Sequence, residues 1–175
     1  MNPPNLHLRP ATMADAPAVW EIFQQAIAQR KRDGSKQWQN NYPNENTVRE
    51  DIEKGYCFVL TENDQVVAVA AVIFEPEPAY NKIDGAWLTH GDYAVVHRLA
   101  LADTVKGRGM AAKLFQLIEP LCVSRGYYSI KIDTYFDNAP MLHLLEKLGY
   151  AYCGEVFFNG AVCKAFEKIL DRVEG

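Results

Sequence analysis

The sequence has no apolar run long enough to cross a membrane and no basic run of the kind that binds nucleic acid. Hydrophobic residues make up 49% of its 175 residues and the formal net charge is -4, which is an ordinary globular composition. Its first ten residues also lack the apolar stretch of a signal peptide. We therefore expect a cytoplasmic protein whose partners are neither membranes nor nucleic acids.

Cysteine is scarce, and its spacing is not that of a metal site. No pair of cysteines has the Cys-x-x-Cys spacing of zinc or redox sites, and each cysteine lies inside an apolar segment. The four are Cys57, Cys122, Cys153 and Cys163. This pattern indicates buried free thiols and no metal.

The phosphate-binding motif Gly-x-x-x-x-Gly-Lys-Ser/Thr is absent as well, yet a glycine-rich turn stands near the centre of the chain. Residues 93–101 are rich in Val and Leu and predict a buried strand, Gly107 and Gly109 follow, and a helical apolar pattern begins at Met110. The first N–H groups of a helix have no partner within it, and glycines let a ligand approach the backbone. The order strand, glycine turn and helix therefore predicts an anion site.

Two general patterns could account for this glycine turn. Gly107, Gly109 and Ala112 also match the dinucleotide fingerprint Gly-x-Gly-x-x-Gly/Ala, with Asp133 about where a ribose-binding acid would lie. That reading leads to an NAD(P)-dependent oxidoreductase. In such proteins, however, the fingerprint normally follows the first strand of the domain, whereas here about a hundred residues precede it. An ordinary strand–helix turn with glycines for tight packing is the other alternative.

The stretch Lys-Gly-Arg-Gly-Met-Ala resembles the Arg/Gln-x-x-Gly-x-Gly/Ala signature of the GNAT superfamily of acyl-CoA N-acyltransferases. The resemblance implies that this loop holds the pyrophosphate of coenzyme A and that acetyl-CoA is the acyl donor. It also implies that backbone groups of Leu99 and Leu101 lie along the pantetheine arm, with the Leu99 N–H facing the thioester carbonyl as an oxyanion donor. The loop residues are Lys106, Gly107, Arg108, Gly109, Met110 and Ala111.

The predicted order of elements is also that of the GNAT fold. It reads strand, two helices, hairpin, long strand, helix, strand, helix, hairpin, from about residue 5 to residue 169. We therefore expect an α+β fold, with a mixed, largely antiparallel sheet flanked by helices, in a single domain spanning residues 1–175. Asn138 and the stretch Lys147-Leu-Gly-Tyr150 resemble the second motif of the family, which implies that Asn138 contacts the coenzyme while it caps a helix.

Local signals place several element ends. Thr47 to Glu50 matches a capping box that would open a short helix. Pro120 predicts a kink or an early end of the helix that follows the glycine turn. Asn159-Gly160 is the strongest short hairpin signal in the chain.

Acetyl transfer from a thioester to an amine, which the resemblance implies, requires a group that accepts the proton of the attacking amine. His97 is the candidate base, since it resembles the histidine that arylalkylamine acetyltransferases of this superfamily place before Leu-Ala-Val. Glu75, His90 and Asp133 are the alternatives. Many members carry a tyrosine as the general acid seven residues after the Asn, but Leu145 occupies that position, so no general acid is assigned.

The resemblance implies acetyl transfer to a primary amine, and we expect a small-molecule acceptor. A peptide N-terminus or lysine, and a catalytically degenerate acyl-CoA-binding module, are the alternatives. Trp38 and Tyr42 lie in a polar loop and could line the acceptor pocket or anchor the loop to the core. Glu75 and Asp133 are further candidates for acceptor contacts, and the chain could also form a homodimer.

Overall fold

The structure is a computed structural model that describes residues 3–172. The chain divides into two compact units: one contains the residues up to Val72 together with Arg98–Phe115, and the other contains Ile73–His97 and the residues from Gln116 onward. The predicted single domain over residues 1–175 stays a prediction, and its first two and last three residues lie outside the described part.

The first unit is built on three antiparallel strands in the order β1-β2-β3. Two helices, α1 and α2, separate β1 from the β2–β3 hairpin. Asn63 and Asp64 form the hairpin turn, both with positive φ, which asparagine and aspartate tolerate better than most residues. The elements are β1 (Leu6–Pro10), α1 (Ala16–Arg32), α2 (Glu45–Glu53), β2 (Cys57–Glu62) and β3 (Gln65–Ile73).

The core of this unit lies between α1, α2 and the sheet. Val19, Ile22 and Phe23 are the inward face of α1, and each is at most 3% exposed. They pack with Val48 of α2 and with Val59 of β2, among others. Their spacing of three and four residues forms the apolar stripe that the helix buries.

The second unit has the strand order β5-β6-β8-β7-β4. β5 and β6 are parallel, whereas β6–β8, β8–β7 and β7–β4 are antiparallel. The predicted Asn159-Gly160 hairpin is confirmed, and both turn residues have positive φ. The elements are β4 (Asp84–Gly85), β5 (Ala94–Leu101), α3 (Met110–Ser124), β6 (Ser129–Tyr135), α4 (Ala139–Lys147), β7 (Ala151–Phe158) and β8 (Ala161–Ile169), of which β5 and α3 continue into the first unit.

The predicted α+β class, with helices and mostly antiparallel strand pairing, is confirmed. Within residues 3–172 no helix is both long and apolar enough to span a membrane, and no cluster of three His, Cys, Asp or Glu side chains is arranged to hold a metal. The four cysteines are free and buried, as the sequence predicted.

Two predicted element ends are wrong. The helix α2 begins at Glu45 with Asn44 as its cap: the Asn44 side chain accepts from the Thr47 N–H at 3.0 Å, and the Thr47 hydroxyl accepts from the Asn44 N–H at 3.1 Å. Thr47 is thus the third residue of the helix. Of the two alternatives for Pro120, the early end is wrong, since helix α3 continues to Ser124; its other hydrogen bonds and its packing outweigh the one that proline cannot donate. A kink at Pro120 stays a prediction.

A buried carboxylate holds the segment between β3 and β5. Glu167 of β8 is 0% exposed, and its oxygens accept from the Leu88 N–H (2.8 Å), the Thr89 N–H (3.3 Å), the Ser129 hydroxyl (2.7 Å) and the Thr89 hydroxyl. Trp87, which directly precedes Leu88, donates its indole N–H to the backbone carbonyl of Tyr80 at 2.8 Å. Glu167 therefore fixes the position of Leu88 and Thr89, which lie in a stretch without regular secondary structure.

We expect Glu167→Gln to lower the free energy of unfolding by about 2–3 kcal/mol, because an amide group would face donors that need an acceptor. Urea unfolding of both proteins measures the difference. Glu146→Gln, at an exposed site of α4, is the control and should change stability by less than about 0.5 kcal/mol. Equal effects of the two substitutions would contradict the role given to Glu167.

Candidate active site

The predicted anion loop lies between β5 and α3. A short 3-10 turn, Asp103–Val105, follows β5, and α3 begins at Met110, which is 1% exposed. Gly107 and Gly109 have φ values of +76° and +70°, and a Cβ at either glycine would meet no heavy atom within 4 Å. The loop is therefore open above both glycines and leads into the N-terminus of a 15-residue helix.

Two basic side chains of the loop are held by carboxylates. Lys106 Nζ lies 2.6 Å from Asp103 Oδ1, and Arg108 contacts both carboxylate oxygens of Glu62 at 2.7 and 3.1 Å. The hydrogen bond from Arg108 lowers the pKa of the Glu62 carboxyl. A bound phosphate would compete with these carboxylates for the two cations, in addition to contacting the backbone N–H groups.

Strand β5 leads into this loop. Ala100 is 4% exposed and belongs to the core of the first unit, while Leu99 and Leu101 are half-buried. Arg98, one residue before Leu99, has a φ of +50°, so the strand leaves the extended conformation there. The contacts of Leu99 and Leu101 with a coenzyme remain predictions.

His97, the predicted base, is buried in the second unit between two carboxylates. Its Nδ1 lies 3.7 Å from Asp133 Oδ1 and its Nε2 lies 3.9 Å from Glu77 Oε2, which are ion-pair distances and too long for direct hydrogen bonds. The ring stacks on Phe158 with centroids 4.7 Å apart, and Tyr80 donates its hydroxyl hydrogen to Asp133 Oδ1 at 2.6 Å. The side chains of His97 and Asp133 are 6% and 5% exposed, against 23% for Glu77.

Burial dominates the electrostatics of this cluster. It raises the pKa of Asp133 from 3.8 to about 6; the hydrogen bonds from Tyr80 and Cys163 act against the rise, and the charge of Glu77 adds to it. Burial, together with the Asp133 charge, raises the pKa of Tyr80 and brings that of Cys163 to about 12. Asp133 therefore carries, near neutral pH, a charge that is costly to bury.

The register of β5 and β6 explains why His97 and Asp133 meet. Ala94 pairs with Ile130 and Val95 with Lys131, a constant offset of 36 residues that carries His97 to the level of Asp133. Both residues were predicted candidates, but the sequence does not link them, because parallel pairing has no local signature.

Glu77 was missed by sequence analysis, which named Glu75 instead. Glu75 is exposed, whereas Glu77 caps a 3-10 turn (Pro78–Lys82) by accepting from the Ala79 N–H at 3.2 Å. Pro78 directly after it is a signal for the start of such a turn, but Glu75 is likewise followed by Pro76, so this signal does not separate the two glutamates. His90, another alternative base, is exposed.

Trp38 and Tyr42 both make contacts inside the first unit. The Trp38 ring packs edge-on against Phe23 with centroids 5.7 Å apart, and the Tyr42 hydroxyl accepts from Arg98 at 2.7 Å. These are contacts of residues that anchor a loop, and a role in lining an acceptor pocket stays a prediction.

Asn138 caps α4, since its side-chain oxygen accepts from the Met141 N–H at 3.3 Å. The amide nitrogen is a donor group and remains the part of Asn138 for which a coenzyme contact is predicted. Leu145, at the position where many family members have tyrosine, is 0% exposed and is a core residue of this chain.

Comparison with known proteins settles the family. The sequence profile of the acetyltransferase (GNAT) family matches residues 19–150. The chain belongs to the GNAT family. The predicted resemblance is confirmed.

Individual relatives agree with this assignment. A GNAT-family acetyltransferase of Streptococcus agalactiae 2603, known from its crystal structure, is 34% identical and covers 95% of this chain and 96% of its own, with a TM-score of 0.88. The uncharacterized N-acetyltransferase YesJ of Bacillus subtilis (strain 168) is 23% identical over 83% of this chain and 81% of its own length. The structure of yncA from Salmonella typhimurium, solved with its cofactor acetyl-CoA, has a TM-score of 0.67 and covers 97% of this chain and 96% of its own at 16% identity, which shows a likeness of fold alone.

The protein is therefore an acetyltransferase of GNAT fold, and acetyl-CoA is its acyl donor. This excludes the NAD(P)-dependent oxidoreductase. The loop of this GNAT protein also fits the coenzyme, because open space lies over Gly107 and Gly109. Unpaired N–H groups are expected at the start of α3, and Arg108 is a cation of the loop that can contact a phosphate.

We expect Gly109→Glu to stay folded and to lose acetyl-CoA binding, because its carboxylate would enter the pyrophosphate site. Acetyl-CoA at a hundredfold excess over Kd should stabilise the wild type by about 2.7 kcal/mol and the variant far less, as thermal melts will measure. Gly34→Glu is the matched control: Gly34 has a φ of +74° and equal open space, so it introduces the same backbone strain away from the loop. Wild-type affinity in folded Gly109→Glu would remove the loop from coenzyme binding.

A second prediction concerns Asp133. Its folded-state pKa of about 6 lies above the ordinary 3.8, so ionisation of Asp133 destabilises the folded protein. The stability is fully present below about pH 4 and is lost as the pH rises through 6. The shift amounts to about 3 kcal/mol. Relative to wild type, Asp133→Asn should therefore gain about 2–3 kcal/mol in free energy of unfolding between pH 4 and pH 7.5.

Asp15→Asn provides a control of opposite sign in the same urea titrations. The hydrogen bond from Arg9 lowers the pKa of Asp15 to about 2, so its contribution to stability is present above about pH 4 and is lost as the pH falls towards 2. Asp15→Asn should therefore be less stable than wild type above about pH 4, and this deficit should shrink as the pH falls towards 2. A difference between Asp133→Asn and wild type that does not change with pH would contradict the buried charge.

Proposed function

We propose that this GNAT acetyltransferase acetylates the primary amine of a small molecule by direct attack in a ternary complex. The observation that supports this most is the buried imidazole of His97, placed between the carboxylates of Glu77 and Asp133 two residues before Leu99 on β5. An acid–base group is what an amine acceptor requires, since most amines are protonated at neutral pH and only the neutral form attacks.

The loop and the strand divide the task of holding the donor. Lys106, Arg108 and the backbone from Gly107 to Ala111 bind the pyrophosphate, and Asn138 adds a contact from the start of α4. The bound donor supplies an acetyl group activated as a thioester. The Leu99 N–H donates to the carbonyl oxygen of that group and stabilises the negative charge that develops there.

The proton of the acceptor is taken up by the cluster around His97. When the new bond from nitrogen to the carbonyl carbon forms, the bond to sulfur breaks and its electron pair leaves with the sulfur. His97 is the proposed base, and the more exposed Glu77 is the group through which the proton reaches it, directly or through one water. Asp133 stabilises the protonated imidazole from the inner side.

We assign no general acid. Leu145 is in the core, and burial raises the pKa of Tyr150, the tyrosine nearest to it in sequence. A thiol has a pKa of about 8.5, so a thiolate is an adequate leaving group near neutral pH. Departure of the thiolate therefore needs less assistance from the protein than deprotonation of the amine does.

The experiment that tests this function is a panel of acceptors with acetyl-CoA, followed by the release of free thiol. One arm contains small primary amines and amino acids, and the other contains peptides with a free N-terminus or lysine. We expect turnover in the first arm. Turnover confined to the second would replace the small-molecule acceptor with a peptide or protein.

We expect His97→Ala to lower kcat/KM by about 10²-fold with little change in acetyl-CoA affinity. The acidic limb of the pH profile of kcat/KM should disappear or move, because the variant lacks the proposed base. If His97 only supports the core, the variant will lose thermal stability and keep the wild-type pH profile.

Glu77→Gln keeps the oxygen that caps Ala79 and removes the charge beside His97, so it should also lower kcat/KM and shift the same limb. Glu75→Gln is its matched control, two residues away and exposed, and it should retain the wild-type profile. If Glu75→Gln has the larger effect, the proton is accepted at Glu75 and not at Glu77.

A further inference from the structure

Arg98 lies within β5, between the two residues to which the proposed function gives chemical roles. Its φ of +50° is in the left-handed region, which residues with a Cβ rarely adopt. His97 precedes it and Leu99 follows it. The direction of the Leu99 N–H therefore depends on whether this left-handed conformation, which we call the bulge of β5, is maintained.

The side chain of Arg98 is held on three sides. Its Nε and one terminal nitrogen donate to the two carboxylate oxygens of Asp51, each at 2.7 Å, and the other terminal nitrogen donates to the Tyr42 hydroxyl at 2.7 Å. The side chains of Arg98 and Asp51 are only 11% and 10% exposed. A planar bidentate pair fixes orientation as well as distance, and we call this group the Arg98 clamp.

Both partners of Arg98 are themselves anchored in the first unit. Asp51 lies on α2, whose Val48 is 2% exposed in the core, and the Asp51 carbonyl accepts from the Tyr56 N–H at 2.8 Å. Tyr42 lies just before Asn44, the cap of that helix. The clamp therefore ties the bulge of β5 to a packed helix.

We propose that Arg98 is a positioning residue, which through Asp51 and Tyr42 holds the bulge of β5 so that the Leu99 N–H points at the thioester carbonyl. This inference rests on the proposed function, which gives Leu99 its role. The clamp acts on the reacting end of the donor, whereas the pyrophosphate is bound by the loop from Lys106 to Ala111. Breaking the clamp should therefore lower kcat and leave coenzyme affinity nearly unchanged.

The test breaks the clamp in two steps of different size. Asp51→Asn removes the charge of the ion pair, and Tyr42→Phe removes a single hydroxyl group and should fold even if the first variant does not. We expect kcat to fall about 10- to 100-fold in Asp51→Asn and about threefold in Tyr42→Phe, with acetyl-CoA affinity within about threefold of wild type.

Asp15→Asn is the matched control. It breaks another bidentate Arg–Asp pair, with Arg9 at 2.7 and 2.9 Å, in which the Asp15 side chain is 11% exposed. It should lower the melting temperature as Asp51→Asn does and leave kcat within about twofold of wild type. A similar loss of kcat in Asp15→Asn would mean that kcat follows stability, and the positioning role would fall.

A measurement independent of turnover completes the test. In protein labelled with ¹⁵N-leucine and ¹⁵N-glycine, acetyl-CoA should shift the amide resonances of Leu99 and Gly109. In folded Asp51→Asn and Tyr42→Phe the Gly109 shift should remain and the Leu99 shift should shrink. A wild-type Leu99 response in both variants, or wild-type kcat in both, overturns the inference; a wild-type protein that acetylates no amine counts against the proposed function and not against this comparison.

Discussion

The arrangement of the candidate site depends on the buried ion pair between Arg98 and Asp51. A left-handed residue inside a strand costs about 1–3 kcal/mol, and a buried guanidinium costs more unless a carboxylate of suitable geometry meets it. The bidentate contact at 2.7 Å meets both demands at one residue. As a result β5 leaves the extended conformation at Arg98, and one strand carries the residue proposed for proton transfer and the backbone proposed for the carbonyl oxygen.

The second unit accepts an energetic cost at its acid–base cluster. Placing Asp133 at 5% exposure beside a histidine and a second carboxylate makes ionisation unfavourable, and the hydrogen bond from Tyr80 offsets only part of that cost. A core selected for stability alone would place apolar side chains there. Groups whose pKa is strongly shifted occur preferentially at functional sites. The buried carboxylate of Glu167 differs, because it accepts several hydrogen bonds and fixes a segment of the chain.

Much of the fold follows from local sequence signals, whereas the site follows only in part. The glycine turn, the Asn159-Gly160 hairpin and the Asn138 cap are local features, and a local pattern predicts them. Pro120 was misjudged because its effect depends on the rest of α3, and the cap of α2 was misplaced because Asn44 and Thr47 fit the same box one turn apart. Glu77 could not be distinguished from Glu75, since only the packing of the 3-10 turn decides which carboxylate faces His97.

The buried Leu145 and the cluster around His97 are two aspects of one chemical balance. A thiol is a stronger acid than an ammonium ion, with pKa values of about 8.5 and 10.4, so sulfur departs with the electron pair more readily than nitrogen does once nitrogen has lost its proton. Removing the proton from nitrogen is then the step that needs a protein group, and protonating sulfur is not. A chain that keeps an imidazole between two carboxylates can therefore have leucine where many of its relatives have tyrosine, because sulfur can leave without a proton once nitrogen has lost its own.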